Sequence, residues 1–399
     1  MINIALLGFG VVGGGVAEVL YENKKIIEER IGSEYRIKYI LDLREFPDSP
    51  FGGLVIKDFD KILSDPSILI VAEMMGGSHP AYEFTKACLS VGKNVVTSNK
   101  EVVSKYGVEL CRIARENGVS YLFEASVGGG IPLIRPIIND LASNNISCIA
   151  GILNGTTNYI LTNMRDRNIS FEEALAEAQK LGYAEKNPDA DIHGTDAARK
   201  IAILGGLASG KLANPDEIYT EGITGVKLED IKFAEAFGCS IKLIGYAKCA
   251  RGKLLVFVSP QVVENNNPLC RIDGVYNGIL VKADMVGSVM FYGPGAGKLP
   301  TASAVVADII DICKGGRIKP ITWISAAESD IADLSHYLCR RMFVIKGGIS
   351  EIPADIAYSD SKTIDGNTAF ISKEQISEAE AKKITERLGA LLLASYRIL

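Results

Sequence analysis

Two lysines next to predicted helix starts are the side chains of this sequence best suited to proton transfer. Lys200 follows a loop rich in carboxylates, and Asp196 lies four residues before it, so the two share one face of a predicted helix. Lys100 follows a predicted strand, where an ammonium group can polarise a carbonyl or stabilise an alkoxide. A solvated acidic loop with an ordinary ion pair remains the alternative for Lys200, and a surface lysine for Lys100.

The segments before Lys200 supply further candidate groups for binding a small polar substrate. The loop over residues 183–195 has no helical period and contains Glu185 and Asp191, whose carboxylates can hold an ammonium group. Thr156 precedes a predicted helix, where hydroxyl and N–H groups suit a carboxylate, although plain helix capping explains it equally. The sequence has only three widely spaced histidines. We therefore expect catalysis to depend on lysines, carboxylates or a cofactor.

A glycine motif near the N-terminus predicts dinucleotide binding. Gly8, Gly10 and Gly13 form a GxGxxG pattern directly after a predicted strand and at the start of a predicted helix. The first glycine permits a tight turn, the second lets the backbone approach a pyrophosphate, and the third allows close packing of helix on strand. The helix N-terminus then offers free N–H groups to the phosphates.

The end of the second predicted strand carries an acidic and a basic residue close together. Asp42 would accept a hydrogen bond from a ribose 2′-hydroxyl and favour NAD, whereas Arg44 would pair with a 2′-phosphate and favour NADP. Asp42 lies 29 residues beyond Gly13, further than the usual roughly 20. The choice between the two cofactors stays open at this point.

Two further glycine-containing loops are candidates for ligand contacts. Gly76 follows the third strand-like run, where small residues allow a nicotinamide to lie against the backbone. The segment from Glu124 to Ile131 contains three consecutive glycines. Several of its main-chain carbonyls could converge on a cation, or the segment could be a simple glycine hinge.

Short apolar runs alternate with helical patterns over the first 125 residues. The predicted strands are Ile2–Leu7, Ile37–Leu41, Ile68–Ala72, Asn94–Thr97 and Val119–Phe123, with helices at about 11–30, 58–64, 80–91 and 101–116. Runs that are apolar throughout and separated by helices predict a parallel sheet covered on both faces. We expect a doubly wound α/β domain whose ligands bind outside the carboxyl ends of the strands.

The pattern changes from about residue 126 to a mixed α+β arrangement. Helices are predicted at about 132–142, 157–166, 171–181 and 195–209, and strands at Ile241–Ala247, Leu254–Val258, Ile279–Ala283 and Ser288–Tyr292. The tail predicts a strand, loop, strand, helix and strand, with the helix at about 375–388 and the last strand at Leu391–Ile398. The predicted domains are residues 1–130, completed by a helix at about 300–316, then 131–300 with its own mixed sheet, and 321–399.

Composition excludes several classes of protein. The chain has 399 residues, 47% of them hydrophobic, and a net charge of −5 without a basic block, which argues against a nucleic-acid or membrane-surface partner. The uncharged stretch Leu141–Met164 is too polar to span a membrane, and the first predicted strand leaves no room for a signal peptide. Eight separated cysteines without a CxxC pair predict reduced thiols, so we expect a cytoplasmic protein.

These motifs together resemble the homoserine dehydrogenase family. The resemblance runs in order through GFGVVG, EMMGGSHPA, VVTSNK, FEASVGGGIP, NGTTNYI, LGYAEKNPDADIHGTDAARK and GPGAGKLPTASAV, and it covers about residues 1–320. It implies a Rossmann domain, a substrate and dimerisation domain, and reversible NAD(P)-dependent conversion of L-homoserine to L-aspartate 4-semialdehyde. It places this reaction in threonine, methionine and isoleucine biosynthesis.

The resemblance also implies roles for individual residues. Lys200 is the proton donor with Lys100 second, Glu185, Asp191 and Asp196 bind homoserine, and Thr156 lies near its carboxylate. The cofactor residues are Gly8, Phe9, Gly10, Val11, Val12, Gly13, Asp42, Arg44, Gly76, Lys100, Gly182 and Gly297. A sodium ion is implied at the main-chain carbonyls of Glu124, Val127, Gly129 and Ile131.

Three points remain open beside the resemblance. Many relatives end in an ACT module with an Asp-x-Pro-Gly-Val effector loop, but residues 344–349 here read Val-Ile-Lys-Gly-Gly-Ile, so a shortened or degenerate ACT-like unit is expected. The family implies a homodimer, on which the tail could build a tetramer. The alternatives are another two-domain Rossmann oxidoreductase of the sugar or inositol type, disfavoured by Asn99-Lys100-Glu101, and a catalytically silent nucleotide-sensing homologue.

Overall fold

The chain folds into two compact units, each with its own sheet. The computed structural model describes residues 1–315 and 320–399. The first unit comprises the described residues of 1–145, 202–217 and 293–326, and the second comprises 146–201, 218–292 and 327–399. Most of the tail therefore belongs to the same unit as the central strands. The three-part division drawn from the sequence stays a prediction.

The first unit is built on a parallel sheet covered by helices. Its elements up to residue 122 are β1 (Ile2–Leu7), α1 (Val11–Glu22), α2 (Lys24–Ile31), β2 (Tyr35–Leu41), β3 (Val55–Ile56), α3 (Asp60–Leu63), β4 (Ile68–Glu73), α4 (Ala81–Ser90), β5 (Asn94–Thr97), α5 (Lys100–Glu116) and β6 (Tyr121–Leu122). The strand order is β3-β2-β1-β4-β5-β6 with parallel pairing throughout. Ile4, Ala5 and Leu6 of β1 are fully buried, as expected where helices cover both faces. The doubly wound prediction is confirmed.

The strand register brings the chain segments after β1, β4 and β5 to one edge of this sheet. Leu7 pairs with Glu73, and Glu73 pairs with Thr97, so β1, β4 and β5 end side by side. Gly8 and Gly76 lie in the loops after β1 and β4, and Lys100 begins α5 just after the loop that follows β5. Carboxyl ends of parallel strands are where ligands of this fold class bind.

The central part of the chain forms long antiparallel strands and the helices that pack on them. These elements are β7 (Ile146–Ile152), α6 (Gly155–Arg167), α7 (Phe171–Lys180), α8 (Asp189–Ile192), α9 (Thr195–Ser209), β8 (Lys211–Leu212), β9 (Tyr219–Thr220), α10 (Leu228–Ala236), β10 (Cys239–Ala250), β11 (Lys253–Glu264), β12 (Tyr276–Ala283) and β13 (Gly287–Pro294). The strand β7, which the sequence analysis missed, lies between β10 and β12. It ends at Ile152, two residues before Asn154, and so positions the N-cap of α6, the helix whose first turn contains Thr156.

The C-terminal part extends the central sheet. Its elements are α11 (Lys298–Cys313), β14 (Ile324–Ser325), β15 (Leu338–Cys339), β16 (Arg341–Lys346), β17 (Tyr358–Ile364), β18 (Asn367–Ser372), β19 (Ile376–Ser377), α12 (Glu378–Leu388) and β20 (Leu392–Ile398). The sheet runs β13-β12-β7-β10-β11-β20-β16-β18-β17. The last strand lies parallel to β11, pairing Arg397 with Gln261. Residues 341–398 have the strand order of a ferredoxin-like βαββαβ unit, with a short 3₁₀ turn at Ile349–Glu351 where the first helix would lie.

Several predicted elements need correction. The helix expected at 11–30 breaks at Asn23 into α1 and α2, and the strand expected at Val119–Phe123 is only β6. The helix expected at 132–142 is a π-helical turn over Pro136–Asp140. The tail has a β17–β18 hairpin where the sequence predicted one strand. The helix predicted at about 300–316 begins earlier, at Lys298, and residue 316 lies outside the described residues. Among the described helices, none is long and apolar enough to cross a membrane.

Candidate active site

The glycine motif forms a tight turn between β1 and α1. Gly8 has a φ of +91°, which a residue with a side chain rarely adopts. A Cβ on Gly13 would lie 2.1 Å from the carbonyl oxygen of Gly8, so only glycine lets the first turn of α1 approach the strand end. Val11 and Val12 open α1 and present N–H groups that have no partner within the helix. The turn is thus shaped for an anion at the helix N-terminus.

Asp42 and Arg44 form one paired unit at the end of β2. The Arg44 guanidinium donates through Nε to Asp42 Oδ1 at 3.0 Å and through Nη2 to Oδ2 at 2.9 Å. The Phe9 N–H also donates to Asp42 Oδ2 at 2.8 Å, so the carboxylate holds the glycine turn as well. These bonds, with that from the Arg44 side chain largest, lower the pKa of Asp42 to about 2. The nearest atom to a Cβ on Gly10 is Arg44 Nη2, at 3.9 Å, so the exposed arginine borders the turn.

A buried carboxyl group that the sequence analysis missed joins the next two loops. Glu73 Oε1 accepts from the Met75 N–H at 2.8 Å, and Oε2 accepts from the Thr97 hydroxyl at 2.6 Å. Burial raises the pKa of Glu73. The sequence did carry a signal: a glutamate at the end of an otherwise apolar strand run, facing the side where ligands of this fold bind.

Asn99 continues this network to Lys100. Its side-chain N–H₂ donates to the Gly77 carbonyl at 2.7 Å, and its side-chain oxygen accepts from the N–H groups of Glu101 and Val102 at 3.2 Å each. It is therefore the N-cap of α5, and Lys100 is the first residue of that helix, half-buried. The same group of bonds fixes the loop containing Gly76 and the backbone from which the lysine extends.

The segment from Glu124 to Ile131 is a buried loop with two left-handed glycines, Gly128 and Gly129. The Glu124 carboxylate accepts from three successive backbone N–H groups, those of Leu133, Ile134 and Arg135. This clamp holds the segment's two ends together, so its carbonyls lie within one short loop. A set of main-chain carbonyl oxygens suits a hard monovalent or divalent cation. Among the described residues, no cluster of three or more His, Cys, Asp and Glu side chains offers a metal site.

In the second unit the structure brings two predicted substrate-binding residues and one predicted catalytic lysine together around Asn154. Its side-chain N–H₂ donates to Asp191 Oδ1 at 2.7 Å and to Asp196 Oδ2 at 2.8 Å. The Lys200 ammonium donates to the same Asp196 oxygen at 2.7 Å and to the Leu153 carbonyl at 2.7 Å. Asp196 and Lys200 are buried, so the ammonium is held in a fixed position. The sequence analysis did not assign Asn154, although it lies two residues before Thr156 as the N-cap of α6.

Thr156, Gly182 and Glu185 lie in the chain segments next to these residues and make other contacts. The Thr156 hydroxyl donates to the Tyr183 carbonyl at 2.7 Å and ties the start of α6 to the loop after α7. Gly182 has a φ of +76° just past the end of α7. Glu185 is exposed, and its backbone carbonyl accepts from the Gln179 side chain. Gly297, in the first unit, is the N-cap of α11 with a φ of +120°.

A second buried lysine, Lys242, differs from Lys200 in the number of its hydrogen-bond partners. Lys242 donates to the Ile272 carbonyl at 2.6 Å, to Asp273 at 2.8 Å and to the Asn158 side chain at 3.2 Å. Its three N–H bonds are therefore committed to protein groups. Among the described residues, the Lys200 ammonium donates to two protein groups, Asp196 and the Leu153 carbonyl.

The fold and the first-unit site together define a class of protein. The strand order, the glycine turn and the acidic residue after β2 are those of a dinucleotide-binding Rossmann fold. The second unit holds a buried lysine paired with the Asp196 carboxylate, and such a lysine can transfer a proton to or from a small polar substrate. The class is therefore that of dinucleotide-dependent oxidoreductases.

Comparison with known proteins is specific within that class. Residues 8–124 match the family profile for the homoserine dehydrogenase NAD binding domain, and residues 132–310 match that for homoserine dehydrogenase. A homoserine dehydrogenase of Neisseria gonorrhoeae is 43% identical over 319 residues, covering 78% of this chain and 72% of the relative. The solved homoserine dehydrogenase from Thiobacillus denitrificans has a TM-score of 0.92 at 34% identity, covering 100% of this chain and 98% of that chain.

A hyperthermophilic archaeal homoserine dehydrogenase mutant, solved in complex with NADPH, has a TM-score of 0.67 at 29% identity, covering 78% of this chain and 97% of that chain. This chain belongs to the homoserine dehydrogenase family and is an oxidoreductase. The alternatives of a sugar-type oxidoreductase and of a silent nucleotide sensor are not favoured by these matches.

Proposed function

We propose that this chain interconverts L-homoserine and L-aspartate 4-semialdehyde with NAD(P), within threonine, methionine and isoleucine biosynthesis. The observation that carries the proposal is the hydrogen-bonded group formed by Asn154, Asp191, Asp196 and Lys200, in which Asp191 is half-buried and the other three are buried. It combines two carboxylates suited to a substrate ammonium with one ammonium suited to a substrate hydroxyl. An amino acid with a side-chain alcohol needs both.

Substrate binding is assigned to the residues around Asn154. Asp191 and Asp196 hold the homoserine ammonium group, with Glu185 at the exposed side of the loop. Thr156 lies in the first turn of α6, where the helix N-terminus favours the substrate carboxylate. Opposite charges at the two ends of the site orient the substrate before reaction.

Proton transfer is assigned to Lys200, with Lys100 as the second candidate. When bound, the nicotinamide supplies or accepts the hydride at the substrate carbon. In the direction of aldehyde reduction, negative charge develops on the substrate oxygen, and the fixed Lys200 ammonium stabilises it and donates the proton. In the direction of homoserine oxidation, the neutral Lys200 amine accepts the proton of the substrate hydroxyl. Asp196 and the Leu153 carbonyl keep the ammonium oriented, since each accepts from it at 2.7 Å.

The cofactor is proposed to be NADP or NAD, bound at the turn from Gly8 to Gly13. Phe9, Val11 and Val12 surround the pyrophosphate, and Gly76, Gly182 and Gly297 line the nicotinamide. Asp42 and Arg44 meet the ribose, and the exposed guanidinium beside Gly10 supports acceptance of a 2′-phosphate. The complex of the archaeal relative with NADPH supports the same assignment.

A sodium ion is proposed at the carbonyls of Glu124, Val127, Gly129 and Ile131. The donor chemistry fits, because the loop is closed by the Glu124 clamp and turned by two left-handed glycines. Activity measured in sodium, potassium and tetramethylammonium salts at constant ionic strength tests this. Equal activity in all three would contradict a specific cation.

The remaining proposals concern assembly and location. We propose a cytoplasmic homodimer or tetramer, and a degenerate ACT-like module over residues 321–399, supported by the ferredoxin-like strand order of residues 341–398. Light scattering in solution distinguishes dimer from tetramer. A thermal shift on adding threonine tests whether the module binds that amino acid.

The activity is tested by the homoserine-dependent appearance of reduced nicotinamide, with NAD and NADP in parallel. We expect turnover by the wild type and a loss of about 10²–10⁴-fold in kcat for Lys200→Ala. Lys100→Ala is run beside it to separate the two lysines. Absence of turnover by folded wild type would refute the proposed activity, and a larger loss in Lys100→Ala would reverse the assignment.

A further inference from the structure

Arg397 is a residue of the second unit that contacts both the C-terminal tail and residues outside the tail. It is buried near the end of β20, and its Nε and Nη2 donate to the two carboxylate oxygens of Glu378 at 2.8 and 3.0 Å. Arg341 donates to the same carboxylate at 2.7 and 2.8 Å. Glu378 is the first residue of α12, so these bonds join the last strand of the tail to its helix.

The same guanidinium contacts residues outside the tail. It lies over the rings of Tyr219 and Phe257, at 5.3 and 5.1 Å from their centroids, and Nη1 lies 3.6 Å from Glu221 Oε2. Tyr219 and Glu221 belong to residues 219–223, which we call the bridging segment. This segment is held to β11 by the bond from the Glu221 N–H to the Val258 carbonyl, at 2.9 Å.

The bridging segment packs against residues 189–194. These residues comprise the short helix α8 and the two residues after it, and we call them the turn that carries Asp191. The Ile223 N–H donates to the Ile192 carbonyl at 2.8 Å. A Cβ on Gly222 would lie 2.1 Å from that carbonyl oxygen, and a Cβ on Gly194 would lie 3.0 Å from the Thr220 methyl carbon. The two backbones are in direct contact, so one has no room to shift without the other.

That turn leads directly to the substrate group. The Gly194 N–H donates to the Asp191 carbonyl at 3.0 Å, and the Ala198 N–H donates to the Gly194 carbonyl at 2.9 Å. Asp191 and Asp196 both accept from Asn154, and Asp196 holds Lys200. A displacement of the turn therefore changes the spacing of both carboxylates.

We propose that Arg397 is a positioning residue for homoserine binding, acting through the bridging segment on the turn that carries Asp191. The inference depends on the proposed role of Asp191 and Asp196 in binding the substrate. The C-terminal tail would then contribute to homoserine binding whether or not the tail itself binds an effector. The cofactor turn belongs to the other unit, so homoserine and cofactor affinities should respond differently.

The test measures kcat and the KM values for homoserine and cofactor in three arginine variants. Arg397→Met removes both the positive charge and the guanidinium that donates to two oxygens of Glu378. Arg397→Lys keeps only the charge. Arg387→Met is the matched control, because this exposed arginine of α12 pairs with Asp355 in the same tail. We expect Arg397→Met to raise the homoserine KM about tenfold, Arg397→Lys to give an intermediate value, and the cofactor KM to stay within about twofold.

A double-mutant cycle with Asp191→Asn identifies the route. If Arg397 acts through the turn, the double variant loses less than the sum of the two single losses. Additive losses would overturn the route. An unchanged homoserine KM in folded Arg397→Met, or equal rises in both KM values, would overturn the positioning role.

Should Arg397→Met fail to fold, Tyr219→Leu replaces it in the test. This exposed tyrosine contacts the guanidinium, and its loss leaves the bonds between Arg397 and Glu378 in place. A raised homoserine KM supports the proposal, and an unchanged value overturns it. Loss of all turnover in wild type would instead contradict the activity itself.

Discussion

The buried carboxyl of Glu73 offers the sharpest test of how the first unit holds its cofactor loop. Glu73 accepts from the Met75 N–H and the Thr97 hydroxyl, and it receives a longer contact of 3.4 Å from Asn99. Asn99 also donates to the Gly77 carbonyl at 2.7 Å. Glu73→Leu therefore leaves two groups without an acceptor, while Asn99 keeps one.

The size of the effect follows from these two lost bonds. Each buried donor left unsatisfied costs about 1–3 kcal/mol, which gives about 2–6 kcal/mol in total. Removing a carboxyl group whose burial raises its pKa offsets part of this. We expect a net loss of about 2–3 kcal/mol, or a fall in Tm of roughly 5–10 °C for a unit of this size.

Glu73→Gln is the matched control, because it keeps most of the bonds. Its amide oxygen still accepts from Met75, and its N–H₂ donates to the Thr97 hydroxyl oxygen, so stability should change by about 1 kcal/mol or less. The assays are thermal unfolding and titration of NADPH by fluorescence. We expect a weaker cofactor Kd, by about tenfold, in Glu73→Leu alone. Wild-type affinity in folded Glu73→Leu, or equal damage by both substitutions, would refute the reasoning.

Three further predictions concern a surface charge, a structural lysine and the thiols. Arg44→Ala exposes the uncompensated Asp42 carboxylate to a 2′-phosphate, so kcat/KM for NADP relative to NAD should fall about tenfold or more. Lys242→Met should lower the free energy of unfolding by about 3 kcal/mol in urea titrations while the folded enzyme keeps its kcat. Cys88 and Cys111 are buried, and burial raises the pKa of both thiols to about 12, so at pH 8 both should be alkylated at least about tenfold more slowly in the native protein than in urea-unfolded protein, as followed by mass spectrometry.

The parallel sheet of the first unit could be predicted from local pattern alone. Its strands are apolar throughout because helices cover both faces, and the glycine turn marks where the first strand ends. The break at Asn23 could not be predicted in the same way, because the helical period continues through it from α1 to α2. β6 is shorter than its apolar run, since an apolar residue such as Phe123 is buried beyond the end of the strand.

The antiparallel strands were harder to predict because part of their signal lies in turns. The tail hairpin carries Asp365-Gly366, with φ of +51° and +82°, which is the dipeptide that favours a two-residue turn between strands. The β10–β11 hairpin turns at Arg251-Gly252, with φ of +52° and +76°. β7 gave little signal, because Ser147 and Gly151 interrupt its apolar run and its stability comes from β10 and β12 on either side.

The contacts of the candidate site also fall into two groups, those between residues close in the sequence and those between residues far apart in it. Asp196 and Lys200 are four residues apart on one helix, so their pairing follows from sequence spacing. Asn154 joins Asp191 and Asp196 across separations of 37 and 42 residues, and Arg397 reaches Glu221 from the far end of the chain. Only the order of strands in the sheet brings such residues together. A motif therefore identifies the groups that do the chemistry, whereas the residues that hold those groups in place have to be found from the fold, and variants of Glu73 and Arg397 test that distinction in the two units separately.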